Sequence, residues 1–194
     1  MFTKTLYHVS YDKIGRFTPR IPQNRCPGEN GVIPRICLSD SIEHCINALP
    51  CRAEPIRRAM NAGASVGLFV YTFYPEDEET ILCPEQISHM VPDALDSHEY
   101  WLLAEPGYFE EIECRVVSAE FIPGSKFSGI RKITLGTPTL ESRLAAQVVA
   151  KHHEKFPDER TFNAGNVYYE MPTVIAAAQR RAAERSLHAK VHAI

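Results

Sequence analysis

The hydrophobic residues of this chain fall into short runs that predict strands separated by loops and helices. Strands are predicted at residues 5–10, 35–38, 66–74, 81–82, 99–104, 112–122 and 130–135, the last at a sheet edge. The clearest is the β-branched and aromatic run 66–74, which Pro75 closes. The prolines and glycines of residues 15–34 exclude regular elements and predict a long loop.

Helical spacing appears in two parts of the chain. A helix is predicted by the spacing of Ile42, Cys45, Ile46 and Leu49. Ser39 or Asp40 can cap it, and the segment from Ser39 to Glu43 offers side-chain oxygens to the free amides of its first turn. A short helix is predicted at residues 55–61, a helical turn or loop at residues 84–90, and alanine-rich helices at residues 140–156 and 172–190. The change in character near residues 136–138 divides the chain into an α+β domain, 1–137, and a helical C-terminal extension, 138–194.

The composition narrows the class of protein. The 194 residues are 44% hydrophobic and 23% charged, which is enough for an ordinary core. The net charge of −3 argues against a mainly electrostatic grip on nucleic acid, although Arg16, Arg20, Arg25 and Arg35 form a local basic cluster. No apolar run is long enough to span a membrane and no secretory signal is visible, so we expect a cytoplasmic protein with no membrane contact.

The cysteine and histidine patterns do not predict a metal site. The six cysteines contain no C-x-x-C pair, which argues against a structural zinc and predicts free thiols, several of them in the core. His152 and His153 are adjacent, and adjacent positions do not share a helix face.

Three short elements carry polar residues at notable places. His8 lies in the run Leu6-Tyr7-His8-Val9-Ser10, and Ser39 and Ser41 follow the strand Ile36-Cys37-Leu38 directly before a helix. Glu99 opens the later run Glu99-Tyr100-Trp101-Leu102. In this order the elements resemble the ADP-ribosyltransferase superfamily, which also contains the RNA 2′-phosphotransferases. The resemblance covers about the first 125 residues, and its motifs are short.

The resemblance implies a fold and a substrate. The fold is α+β, with a split mixed or antiparallel sheet around a cleft for NAD. In that cleft Glu99 would hold the ribose hydroxyl beside the breaking glycosidic bond, and His8 would orient the adenosine ribose. We therefore expect Glu99 and His8 to be catalytic. The residues expected to bind NAD are His8, Val9, Ser10, Arg20, Arg35, Ser39, Ser41 and Tyr71. No metal is expected.

The chain departs from the family pattern in its second element. Serines stand where many members carry a tyrosine, so the residue that stacks on nicotinamide is open among Tyr71, Tyr100 and Phe73. Each assignment also has a structural alternative. His8 fits a partly buried side chain, the serines fit helix caps, and the arginine loop fits a solvated surface. Glu99 competes with the other acidic residues of the region, Glu105, Glu110, Glu111 and Glu113.

Three functions are consistent with these features. The first is an NAD-dependent ADP-ribosyltransferase that modifies a macromolecular target, protein or nucleic acid; small members of the family are often toxins or phage effectors. The second is an enzyme that removes a 2′-phosphate from RNA with NAD, against which the net acidic charge weighs. The third is a non-catalytic binding module. The C-terminal helices are the expected contact surface for a partner.

Overall fold

The computed structural model describes residues 4–23, 27–75, 77–123, 129–159 and 161–191, with side chains up to residue 189. Seven strands are formed: β1 (Leu6–Ser10), β2 (Ile36–Ser39), β3 (Gly67–Phe73), β4 (Ile81–Leu82), β5 (Glu99–Leu102), β6 (Phe109–Phe121) and β7 (Ile130–Gly136). The helices are α1 (Ile42–Ala48), α2 (Glu54–Asn61), α3 (Pro84–Ile87), α4 (Ala94–Ser97), α5 (Leu144–Lys155), α6 (Ala164–Glu170) and α7 (Pro172–Val191).

The predicted α+β class is confirmed: the described residues form an antiparallel sheet, and helices follow it at the C-terminal end of the chain. The strands follow the order β4-β5-β2-β1-β3-β6-β7. The predicted edge strand is β7, and every predicted strand is present within a few residues of its predicted ends. The described residues of the loop 15–34 form no helix or strand, and a single bridge joins Arg20 to Arg35.

Two details of the helices differ from the prediction. Helix α1 is capped by Ser41, one of the two serines that fit a cap, and its hydroxyl accepts a hydrogen bond from the His44 amide at 3.1 Å; the other predicted caps, Ser39 and Asp40, do not serve. The capping position falls there because Ser39 is still part of β2. Helices α4 and α6 are not among the predicted elements, and α6 begins at Ala164, after its cap Asn163, in a segment expected to contain turns.

The chain forms two compact units. The first contains residues Met1–Arg52 and Phe69–Ile112, and the second contains Ala53–Leu68 and Glu113–Ile194. The predicted boundary near residue 137, with a C-terminal part that either packs on the first domain or forms a separate small module, stays a prediction.

The first unit has a hydrophobic cluster on each face of its strands. One cluster contains Leu6, Leu38, Tyr71 and Tyr100, together with Phe17 from the loop. The other packs α3 and α4 against Trp101, which is fully buried. Neighbouring residues of a strand face opposite sides of the sheet. Polar side chains of β1, β2 and β5 can therefore meet only if they lie on the side of the same cluster.

The second unit is held by polar contacts as well as by apolar packing. The side-chain amide of Gln179 on α7 donates to the carbonyls of Ser65 and Glu141 at 2.9 Å each, and its oxygen accepts from the Ser65 amide at 2.8 Å. These three bonds explain why a glutamine is 4% exposed here, since a buried amide without partners would be costly.

Candidate functional site

Strand register decides which of the predicted site residues meet. Tyr7 of β1 lies opposite Ser39 of β2, and Ser39 lies opposite Glu99 of β5. Directly opposed side chains share a face, so Ser39 and Glu99 are on the same side of the sheet. His8 follows Tyr7 and therefore faces the other side, where it lies opposite Tyr71 of β3. The structure thus joins Ser39 to Glu99 and joins His8 to Tyr71.

His8 occupies the place where β1 and β2 separate. All residues of β1 and β2 are described, and the two strands pair at a single position, Tyr7 with Ser39. Next to this pair, His8 Nδ1 lies 2.9 Å from the carbonyl oxygen of Cys37. A carbonyl only accepts, so Nδ1 carries the proton and donates, and Nε2 of the neutral ring is left as an acceptor. The imidazole also packs edge-on against Phe17, with 5.2 Å between ring centroids.

The environment of His8 keeps it neutral. Burial lowers the pKa of His8, and the positive charge of Arg20 lowers it further, against the opposing effect of the hydrogen bond to Cys37. A neutral imidazole with a free acceptor nitrogen can accept a hydrogen bond from a hydroxyl group, such as that of a sugar.

The carboxyl group of Glu99 is half-buried and accepts hydrogen bonds from neighbouring side chains. The indole Nε1 of Trp101 donates to Glu99 Oε1 at 2.7 Å, and the thiol of Cys37 donates to the same carboxylate. Burial raises the pKa of Glu99 above its ordinary value, although these two hydrogen bonds oppose the shift. Burial and the nearby Glu99 also raise the pKa of Cys37, so this thiol stays protonated and remains a donor.

A small cavity of about 90 Å³ adjoins Glu99. Its lining comes from Ser39 and Cys37 of β2, from Val9 and His8 of β1, and from residues of α1 and α4. Since one water needs roughly 10–15 Å³ by this measure, the cavity has room for several waters or for a small polar group of a ligand.

A larger cleft of about 600 Å³ lies on the His8 side. It is bordered by His8, Phe17 and Cys37 and by the loop arginines Arg16, Arg20 and Arg35, among others. His8 and Cys37 border both cavities. This volume is in the range of small-molecule sites, which are commonly about 300–1,000 Å³.

The cations of the cleft differ in what they can offer a ligand. Arg16 is engaged by Glu105 at 2.9 Å, and Lys13 by Glu111 at 2.7 Å. Arg35 is fully buried, forms an ion pair with Glu29, and stacks on Trp101. Among the described residues, no ion pair is formed by the exposed guanidinium of Arg20, which is therefore the best placed for a phosphate group.

The remaining predicted residues have local partners. The Ser39 hydroxyl donates to the carbonyl oxygens of Ser97 and His98, which lie 2.9 and 2.8 Å from Oγ. The Tyr71 hydroxyl accepts from the Ile14 amide at 2.6 Å, and burial raises its pKa to about 12. Ser10 accepts from the Asp12 amide. These contacts are structural, and Ser41 serves as the cap of α1. Arg25 lies outside the described residues.

Two contributors were not anticipated from the sequence. Phe17 packs on both His8 and Tyr71, and its signal was present, because it is the single aromatic residue of the loop 15–34. Cys37 touches Glu99 through its thiol and His8 through its carbonyl, and nothing in its apolar run distinguishes it from a core cysteine.

Comparison with protein-family models, with curated proteins and with solved structures gave no match for this chain. Over the part of the chain that the structure describes, no helix combines the length and the apolar character required to cross a bilayer.

Proposed function

We propose that the protein is an NAD-dependent ADP-ribosyltransferase acting on a macromolecular target, and that its sheet is of the split type found in that superfamily. The observation that carries the proposal is that His8 and Cys37 border two cavities, one with the Glu99 carboxyl and one with Arg20, which forms no ion pair with any residue that the structure describes. The early separation of β1 from β2 supports the split sheet.

The reaction requires a carboxylate near the sugar. Nicotinamide leaves the ribose anomeric carbon with the electron pair of the broken bond, and a nucleophile of the target bonds to that carbon and loses a proton. The transition state carries positive charge on the ribose, so a carboxylate that accepts a hydrogen bond from the 2′-hydroxyl and keeps its negative charge stabilises it. Glu99 is suited to this role because its donors, Trp101 and Cys37, fix its position.

The larger cleft supports the rest of the dinucleotide. Arg20 provides a charge for the diphosphate, and guanidinium groups match phosphate oxygens in geometry. The acceptor Nε2 of His8 can bond a ribose hydroxyl. Arg16 and Arg35 are already paired with carboxylates, which leaves less positive charge for RNA and makes the 2′-phosphotransferase function less favourable.

Transfer can be tested with radiolabelled NAD, purified protein and a cell lysate. The unmutated protein should release nicotinamide and label a discrete protein or nucleic-acid band. Glu99→Gln keeps the size of the side chain but removes its charge, and should reduce both signals by at least about a hundredfold. Glu85→Gln, at an exposed glutamate outside both cavities, is the matched control and should remain active.

The opposite results are equally informative. Full transfer by Glu99→Gln would refute the assignment of Glu99. Release of 2′-phosphate from a model RNA without label transfer would replace the proposal with the phosphotransferase. Absence of NAD binding, together with a stable complex recovered from cells, would identify a binding module.

A further inference from the structure

A second cluster of polar side chains lies beside the cavities but lines neither of them. Asp40 Oδ1 is 2.9 Å from His44 Nδ1, and Asp40 Oδ2 is 2.9 Å from His98 Nδ1. The two imidazole rings are 4.2 Å apart between centroids and are inclined by 32°. One ligand atom from each of the three residues lies within 4.8 Å of the others. Two imidazoles and a carboxylate are thus gathered around one point.

The cluster is brought together by three elements of the first unit. Asp40 lies between the end of β2 and the cap of α1, and His44 lies in the first turn of α1, so the carboxylate reaches the imidazole across the start of the helix. His98 ends α4 and directly precedes β5, with a left-handed φ of 48°. This conformation is uncommon for a residue other than glycine, and it turns the imidazole toward Asp40.

We propose that Asp40, His44 and His98 form a binding site for a divalent transition-metal ion of the zinc class. Imidazole nitrogen and carboxylate oxygen are ligands that zinc, cobalt and nickel prefer, whereas calcium and magnesium prefer oxygen alone. Zinc bonds both ligand types at about 2.0–2.2 Å in tetrahedral geometry, so two ligands of one ion lie about 3.3–3.6 Å apart. The present separations of up to 4.8 Å therefore require the three solvent-accessible side chains to move together by about 1 Å.

The protonation of the cluster is compatible with this site. Asp40 lies within hydrogen-bond distance of both imidazole rings and next to the ammonium of Lys4, which are the surroundings of an ionised carboxylate. A metal ion would replace the protons that the two Nδ1 atoms now share with Asp40, and a neutral ring can move its proton to Nε2. Water would complete the coordination, because three protein ligands leave a position open.

One charged group opposes the metal ion. The ammonium of Lys4 lies 3.4 Å from Asp40 Oδ2 and 2.5 Å from the hydroxyl of Tyr100. Its repulsion should weaken metal binding, and removing its charge should strengthen binding at this site but at no other. Lys4→Met therefore distinguishes the proposed site from other sites on the surface.

A bound ion would join the end of β2, the first turn of α1 and the start of β5. Asp40 is adjacent in sequence to Ser39, and His98 is adjacent to Glu99, so the ion would stiffen the residues next to the small cavity. The expected result is a higher midpoint of thermal unfolding in the presence of the metal, because a ligand that binds only the folded state stabilises it. This inference does not depend on the proposed transferase activity.

The test is calorimetric titration of the full chain with Zn²⁺ at neutral pH under reducing conditions. We expect one ion per chain. His44→Gln and His98→Asn should each weaken binding at least about tenfold, and asparagine tolerates the left-handed backbone at position 98. Lys4→Met should tighten binding severalfold. The controls are His89→Gln and Cys51→Ser, which remove an exposed histidine and an exposed thiol outside the cluster and should change nothing.

Several results would overturn the proposal. They are no binding at 0.1 mM Zn²⁺, binding that persists unchanged in His44→Gln, or binding that Cys51→Ser abolishes. Circular dichroism of each variant separates a lost site from a lost fold. If His98→Asn does not fold, His44→Gln and Lys4→Met still decide the outcome, because both positions are accessible to solvent.

Discussion

The buried ion pair between Arg35 and Glu29 gives the sharpest stability prediction. The Arg35 side chain is fully buried and the Glu29 side chain is 9% exposed. Arg35 also donates to the Ile33 carbonyl at 2.9 Å and lies over the Trp101 ring at 4.0 Å, while its Nε has no hydrogen-bond partner among the described residues. Glu29 is thus the main compensation for a positive charge with little access to water.

Glu29→Gln should therefore destabilise the fold strongly. Removing one partner of a buried pair costs about 3–5 kcal/mol, because the other charge remains buried without compensation. Glutamine keeps an acceptor oxygen, so we expect the lower end, about 3 kcal/mol. For a chain of 194 residues this corresponds to a fall of roughly 6–12 °C in the midpoint of thermal unfolding.

Urea denaturation followed by tryptophan fluorescence measures this loss, since Trp101 is the single tryptophan and lies beside Arg35. Two further variants show whether this loss of stability comes from the buried charge. Glu105→Gln breaks the exposed pair with Arg16 and should cost less than about 1 kcal/mol. The double variant Glu29→Gln/Arg35→Met should recover part of the loss, because it removes the uncompensated charge. A loss below about 1 kcal/mol for Glu29→Gln alone would refute the reasoning.

Three other predictions follow from the structure. The rate of nicotinamide release should fall as the pH drops through the pKa of Glu99. Burial raises this pKa, so the fall should occur at a higher pH than for an ordinary glutamate, which titrates near pH 4.3. Trp101→Phe removes a hydrogen-bond donor to the ionised carboxylate and should move the fall to a still higher pH, and an unchanged profile would contradict this. Gly67→Ala should lower the unfolding midpoint, because its Cβ would lie 2.5 Å from the Ser142 carbonyl oxygen, and an unchanged midpoint would exclude that clash. Ser41→Ala should cost about 1 kcal/mol in urea denaturation through loss of the α1 cap, whereas Ser88→Ala, outside α1, should cost less.

The strands could be predicted because their signal is local. The run 66–74 and the short run 81–82 are β-branched or apolar between turn residues, and they become β3 and β4. Helix α6 was missed because Pro157–Asn166 is rich in turn residues. Its signal was nevertheless present in Asn163 and Asn166, which bond each other's backbone amides as a reciprocal cap.

The arrangement of the candidate site could be predicted only in part. The sequence indicated His8, Ser39 and Glu99, but their faces depend on the register of β1, β2 and β5, which pairs residues far apart in the chain. The same is true of the contact between Asp40 and His98, which are 58 positions apart. That Arg35 would be held by Glu29 could not be derived from the basic character of the loop, because charge patterns do not specify which cations are buried.

The most direct measurement for the proposed function is calorimetric binding of NAD to the purified full chain. The account predicts binding by the unmutated protein, and affinity reduced about tenfold or more in Arg20→Ala, because the cleft would lose a cation that is not held in an ion pair by any described residue. Arg131→Ala, at an exposed arginine that pairs with Glu120 outside the cleft, should bind as tightly as the unmutated protein. Absence of NAD binding, or equal affinity in Arg20→Ala, would contradict the placement of the dinucleotide beside His8.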